Sequence, residues 1–328
     1  MIGPRARPLL LAAAVVVTLG GIAYAVDGVA LEDTADALSE SDLWWLVPSS
    51  AVFVVGVALR AVRWWALFAA SHRPPLRAVS RALLIGYFFN NILPARAGEA
   101  ARVISLHGRT RTSRAETIAT VVAERVFDLL ALLVIALAAY PWLPPITWLR
   151  AAALLGIAVV VLVAALAFVF VRYEERAIHW LLSPLRRVRR DGFAERLELA
   201  AVNATRGLVA IRDPRVAGLS MLLTIASWVV LSASYWILMA AFSLELPFAS
   251  ALLVTVTINI GLVLPSSPAA IGVFEAATVI ALTAYAVPQA QALSYALVLH
   301  LLNLVPFLVV GAALLAPGAL ARRRRDRA

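Results

Sequence analysis

The sequence predicts an all-α bundle in a membrane, with about six full spans and two further broken helices, and three observations predict it. The first is composition: 62% of the 328 residues are apolar, 15% are charged, and mean hydropathy is +0.89. Soluble domains run about 45–50% apolar and about 25% charged, so only a bilayer can solvate this surface. The second is a series of apolar runs long enough to cross the ~30 Å hydrocarbon core as helices. The third is the distribution of arginine between those runs. Cysteine is absent and all 29 basic residues are arginine. Thiol chemistry, structural disulfides, a Walker A lysine and a Schiff-base amine are therefore excluded within this sequence.

Each element follows from hydropathy and its flanks. Leu9 to Val26 is the first span, and Ala23-Tyr24-Ala25 offers a signal-peptidase site as the competing reading. Asp27 to Asp42 carries six acids and no arginine, and Leu43 to Leu59 returns to a basic stretch containing Arg60, Arg63, Arg73, Arg77 and Arg81. Ala82 to Leu93 is too short to span and ends at Pro94 and Gly98. Thr117 to Ala139 and Ala151 to Val171 span, separated by an outer loop with Trp142 and Trp148. Arg172 to Arg215 holds ten arginines, and Phe193, Leu197, Ala201, Ala204, Leu208 and Ile211 recur there at helical spacing, as in a helix on the inner leaflet. Val216 to Phe242 crosses again, Ala249 to Leu264 breaks at Pro265-Ser266-Ser267-Pro268, and Ile271 to Val287 follows. Ala290 to Leu315 is the last span. Trp44, Trp45, Trp64 and Trp65 read as interfacial belt residues.

This layout places 27 of the 29 arginines on one side, all but Arg125 and Arg150. The positive-inside rule makes that side cytoplasmic and puts both termini there, in a cell-membrane protein. The chain reads as one integral domain, with repeat halves of about 1–147 and 148–321 and a basic tail, 322–328. Asn90, Leu93-Pro94, Gly98 and Glu99 in one half match Asn259, Leu264-Pro265, Gly272 and Glu275 in the other. Two spans precede each broken segment, one enters from each side, and the pattern is that of an inverted repeat with a site where helices break. Ser267 before Pro268 suits an N-cap with a first-turn proline, whose positive helix end suits a phosphate.

The candidate site residues are the charged and polar groups at these breaks. Asn90, Asn91, Arg96, Glu99, Arg102, Glu124, Arg125, Asp128, Ser267 and Glu275 are the expected substrate-binding set, with Pro94, Gly98, Pro265, Pro268 and Gly272 shaping the breaks. Glu124 and Asp128 lie four apart on one helix face with Arg125 beside them. An ionised side chain at bilayer depth costs at least about 2.5–3.5 kcal/mol, so these groups must face one another or water. Two arrangements satisfy this: salt bridges holding helices in register, or a polar cavity where arginine grips phosphate and carboxylates compensate it. Arg125 is expected to neutralise Glu124 and Asp128, and Glu275 to share their cavity. His300 and Asn303 suit interhelical hydrogen bonds. The four histidines are scattered, so no metal is expected, and no cofactor.

Phe89-Asn90-Asn91-Ile92-Leu93-Pro94-Ala95-Arg96-Ala97-Gly98-Glu99…Arg102, Val122-Ala123-Glu124-Arg125-Val126-Phe127-Asp128-Leu129-Leu130 and Pro265…Gly272-Val273-Phe274-Glu275 together resemble the lysylphosphatidylglycerol synthase transmembrane (flippase-like) family. The resemblance covers nearly the whole chain. It implies a polytopic protein that moves a lipid or lipid-linked sugar between leaflets. Where that family leads one to expect Pro-Gly-Gly-Ile-Gly, this chain has Pro268-Ala269-Ala270-Ile271-Gly272, which should stiffen the second break. No soluble segment exceeds about forty-four residues (172–215), so the resemblance does not extend to the aminoacyl-transferase domain of full-length synthases.

The expected activity is ATP-independent translocation of an anionic phospholipid or polyprenyl-phosphate lipid through a central polar cavity, with no nucleic-acid partner. The alternatives are a membrane-embedded transferase on a lipid phosphate, with Glu99 or Asp128 as base, and a non-catalytic subunit docking a separate synthase or glycosyltransferase.

Overall fold

A computed structural model describes residues 6–93, 97–110, 112–145 and 213–325, with a few positions between 154 and 162. Among them there are helices and no strands, so the all-α membrane bundle is borne out. The expected inner-leaflet helix around 193–211 and most of the span at 151–171 lie outside the described residues.

Helix α1 is Ala6–Val26, α2 is Leu31–Ser39, and α3 is Leu46–Ala66, entered through one 3-10 turn at Leu43–Trp45. Asp42 starts that turn by accepting from the Trp44 amide. Helix α4 (Leu76–Ile92) and α5 (Gly98–His107) flank the first break. Helix α6 (Arg114–Ala139) is capped by Ser113, which accepts from the Glu116 amide at 3.0 Å. Asp213 and Pro214 start α7 (Pro214–Met239) in the same way, with proline where no donor is needed. Helix α8 (Phe248–Gly261), α9 (Val273–Thr283) and α10 (Gln289–Arg325) complete the chain. Leu43–Ala66, Pro214–Phe242 and Gln289–Ala316 are long and apolar enough to cross a membrane unaided. Helix α6 has the length, but Glu124, Arg125 and Asp128 interrupt its apolar run.

Contacts between helix ends show how the bundle is assembled. The Asp42 amide donates to Ala241 O, Gln291 to Phe242 O and Gln289 to Tyr24 O, which puts the end of α1 and the starts of α3, α8 and α10 at one end of the bundle. Arg81, near the start of α4, donates to Leu314 O far along α10 at 2.7 Å. Helices α4 and α8 therefore start from opposite ends. The main packing partners are α3 with α7, α4 with α5 and α10, α8 with α9 and α7, and α10 with α9 and α2, with α6 packed on α7 and less extensively on α8, while α1 lies on α9.

Helix α7 buries Ser220, Thr224, Ser227, Ser232 and Ser234. Four of these hydroxyls donate to carbonyls of α7 itself, and Ser232 also meets Thr255 of α8 at 2.7 Å. Those bonds satisfy polar groups that a bilayer cannot hydrate, which makes a small-residue helix face suitable for close packing. The exposed Trp44 and Trp142 fit the expected aromatic belt, whereas Trp64 is fully buried and does not.

Candidate functional site

Helix α3 continues two turns past the expected boundary, and this carries Arg60 and Arg63 into the bundle. Both belong to the helix rather than to a cytoplasmic return, so the arginine tally counted them, and the buried Arg102, as loop charge. Arg63 is 1% exposed and reaches two carboxylates of α6 at once. Its Nη2 donates to Glu124 Oε1 at 2.6 Å and its Nη1 to Asp128 Oδ1. Arg102 of α5, 2% exposed, pairs with Glu124 Oε2 and lies 3.5 Å from Glu99. Its guanidinium sits 3.8 Å above the ring of Trp64, whose Nε1 donates to Thr120 at 3.1 Å. The stacked face replaces water with a ring quadrupole, which suits a weakly hydrated guanidinium.

Arg125 has a different place from the one expected. It bonds to Glu99 and lies 3.5 Å from Asp128 Oδ2, with its side chain 42% exposed. Arg63 and Arg102 are the buried counter-charges of Glu124 and Asp128, and Arg125 with Glu99 forms the open side of the cluster. Sequence spacing favoured Arg125 because it is adjacent on α6. Side chains from α3 and α5 win because they reach the carboxylates across the packed interface, while residue 125 points around the helix.

Three arginines thus face three carboxylates: Arg63, Arg102 and Arg125 against Glu99, Glu124 and Asp128. A fourth guanidinium stands beside them. Arg60 lies 4.0 Å over the ring of Trp228, and the Trp228 Nε1 donates to Asp128 Oδ1 at 3.0 Å. Among the described residues Arg60 has no carboxylate partner, and its buried Nε has no hydrogen bond. Neither Arg60, Arg63 nor Trp228 was anticipated as part of the site. An arginine near the end of an apolar run is the only signal that marks Arg60 and Arg63 in the sequence, and Trp228 lies inside an apolar run with nothing to mark it.

Asn90 sits where α4 crosses α5, against Gly98, and its Oδ1 is buried without a partner among the described residues. Asn91 is half-buried at the same helix end. Pro94 and Arg96 lie outside the described residues.

The second break departs from expectation. Pro268–Ala270 is a single 3-10 turn that does not propagate, and Ser267 caps nothing with its side chain. Its amide instead donates to Thr18 Oγ1 of α1 at 3.0 Å and its hydroxyl to Ile271 O. The half-helix begins at Val273, where Glu275 reaches back to accept from the Gly272 amide at 2.7 Å. A carboxylate of the chain therefore occupies the positive helix end that was expected to face a phosphate. Glu275 Oε1 lies 2.5 Å from His300 Nδ1, and no arginine among the described residues pairs with it. The carboxylates of the two halves thus form separate polar sites. Asn303 follows one turn after His300 and accepts from the Tyr235 hydroxyl at 2.9 Å, an interhelical bond of the expected kind.

The backbone shows why glycines suit this break. Ala269 and Ala270 have φ of 57° and 60°, and Gly272 has φ of 83° with Thr18 O and Ile22 against its α-carbon. Left-handed backbone costs an L-residue roughly 1–2 kcal/mol, offset in part by the ~0.5–1 kcal/mol of extra chain entropy that glycine loses on folding. The double substitution Ala269→Gly with Ala270→Gly should therefore stabilise the protein by about 1 kcal/mol. A thermal midpoint in detergent below the parent's would contradict this reading of the turn.

Fold and site together define a multi-spanning membrane protein with a buried, largely self-neutralised ion network between its helices. Residues 10–311 match the family described as "Lysylphosphatidylglycerol synthase TM region", and the chain belongs to that family of lipid-related membrane domains. No curated protein matches the chain.

Proposed function

We propose that this protein is an ATP-independent lipid translocator whose polar route receives the phosphate of an anionic phospholipid or polyprenyl-phosphate lipid. The observation that carries this reading is the charge balance of the inner site. Among the described residues of the inner network three carboxylates offset three arginines, and Arg60, stacked on the Trp228 ring that bonds to Asp128, is a further guanidinium with no carboxylate partner. One phosphodiester would restore neutrality in a low-dielectric setting, and guanidinium is the group that grips it bidentately.

The packing supports a route with two stations. Helix α7 carries Trp228 at the ion network and Tyr235 at the Asn303 site, seven residues and so about 10 Å apart along its axis. Contacts of α4 with α10 and of α8 with α6, about the central α3–α7 pair, are the relation expected of an inverted repeat. In this reading both termini are cytoplasmic, the α1–α2 turn is outside, and a separate synthase or glycosyltransferase supplies the lipid. The transferase alternative needs a carboxylate free to take a proton. Asp128 holds two donors at hydrogen-bond distance, which favours a binding role, whereas Glu99 bonds to Arg125 through Oε1 and its Oε2 has no hydrogen bond among the described residues, so Glu99 is the base this alternative rests on.

The test is reconstitution in liposomes with a leaflet-resolved lipid assay. Arg60→Gln should fold normally, because no described carboxylate depends on Arg60. It should slow translocation roughly ten- to hundredfold, the equivalent of one charged hydrogen bond of about 1.5–3 kcal/mol. Undiminished transport by Arg60→Gln would remove the phosphate site, and the parent's failure to move any lipid would sink the translocator.

A further inference from the structure

His300 is held between two acceptors, and this constrains how many protons the second site contains. Nδ1 lies 2.5 Å from Glu275 Oε1 and Nε2 lies 3.0 Å from the carbonyl oxygen of Ala269. The ring stacks on Phe274 at 4.4 Å, and both His300 and Glu275 are buried, each 7% exposed. A carbonyl oxygen only accepts, so Nε2 carries a proton. The short Nδ1···Oε1 contact needs a second proton, carried either by the ring or by the carboxyl group. Either way the pair holds two protons. With one proton removed, one of the two contacts sets lone pair against lone pair. If the remaining proton stays on Nδ1, the Ala269 carbonyl loses its donor, and the strained turn at Ala269–Ala270 loses its tie to α10.

We propose that Glu275 and His300 form a proton-binding site that closes the second break when loaded and releases it when empty, coupling translocation to a proton gradient. The coupling rests on the translocator reading above; the proton site does not. The step is a simple balance: one proton enters from the aqueous phase, the pair goes from one proton to two, and the Ala269 bond forms. Among the described residues, elements packed against α10 bring no second carboxylate or histidine to the pair, and α3, which meets α10 at Phe53 and Phe307, carries Arg60 over the Trp228 ring. On α9 Glu275 is the one titratable residue, and the turn at 265–272 has none. On α7 Tyr235 is engaged with Asn303, and on α4 Arg81 holds the Leu314 carbonyl, Tyr87 lies against Phe307 and Arg77 is exposed. Glu32, Asp33 and Asp36 of α2 and Tyr24 of α1 are exposed, and on α10 itself Tyr295 donates to Tyr235 O.

The chain has no cysteine, so Ser266→Cys places one reporter thiol in the break. Labelling by a membrane-impermeant maleimide is followed in proteoliposomes from about pH 5 to 9, the range in which histidine commonly titrates. Each rate is divided by that of the same thiol in a Glu275→Gln background. Glutamine keeps a donor toward Nδ1 and an acceptor toward the Gly272 amide, so it imitates the loaded site at every pH. The ratio should be near one at low pH and rise at least about tenfold at high pH, a change of about 1.4 kcal/mol in the opening equilibrium. His300→Phe removes the tie and should label fast at all pH values. A flat ratio with pH overturns the proton site. A ratio that switches in a protein moving no lipid overturns the lipid reading and leaves the site standing. Switching accompanied by lipid movement indifferent to an imposed pH gradient overturns the coupling.

Discussion

Arg63→Ala is expected to lower folded yield sharply and to abolish translocation, although sequence alone places Arg63 in a loop. The substitution leaves Glu124 and Asp128 facing each other across one turn of α6, with only Arg102, the peripheral Arg125 and the Trp228 N–H to offset them. Breaking a buried pair from one side costs about 3–5 kcal/mol because the remaining charge is desolvated and unpaired. Here a single guanidinium serves two carboxylates, which places the loss at the upper end of that range. Arg63→Lys should fall between the parent and alanine, since one ammonium cannot span both carboxylates as the planar fork does. Arg125→Ala is the control. Its side chain is 42% exposed, and its loss leaves Glu124 and Asp128 with their buried donors Arg63, Arg102 and Trp228, so that variant should fold. Thermal unfolding and size-exclusion profiles in detergent would show the order. If Arg63→Ala and Arg125→Ala unfold alike, the assignment of the buried counter-charge is wrong.

Gly98→Ala is expected to be nearly as damaging, through packing instead of charge. A methyl group at Gly98 would collide with the Gly86 carbonyl and with the side chain of Asn90, and a Cβ on Gly86 would come within 2.9 Å of the Arg102 Cβ. Helices α4 and α5 cross here at backbone contact, so the clash cannot be relieved by rotating a flexible side chain. Overpacking of this kind costs about 1–3 kcal/mol. The larger consequence is functional. Moving α5 displaces Glu99 and Arg102 together, and the Arg102–Glu124 pair tolerates little displacement because both groups are buried and no water can replace the lost bond. Transport should drop by at least about tenfold at temperatures where the variant is still folded, since a misplacement near 1 Å can cost far more. Gly108→Ala, at the exposed end of the same helix, should have little effect, because its Cβ would meet nothing closer than 3.4 Å. Equal activity for Gly98→Ala and the parent would contradict the crossing.

The family follows from three motifs, and the charges of Glu99, Arg102, Glu124, Arg125 and Asp128 mark the inner site without any coordinates. They are legible because a charge at bilayer depth is so costly that it must belong to a site or a salt bridge. Helix boundaries near Arg60 and Arg63 are less legible. An arginine at the edge of an apolar run is compatible with a loop or with another helical turn, and only the carboxylates of α6 decide which.

What the sequence by itself determined is the solvent, the class of helical bundle and the residues that could not be left alone in lipid. These depend on composition and on period along one chain, which are local properties. What the tertiary structure decided is the pairing: Arg63 instead of Arg125 on Glu124 and Asp128, and His300 instead of an arginine on Glu275. Coulomb and hydrogen-bond energies depend on distance in space and on exclusion of water. Residues far apart in the chain acquire both only when α3, α5, α6 and α7, or α9 and α10, pack together.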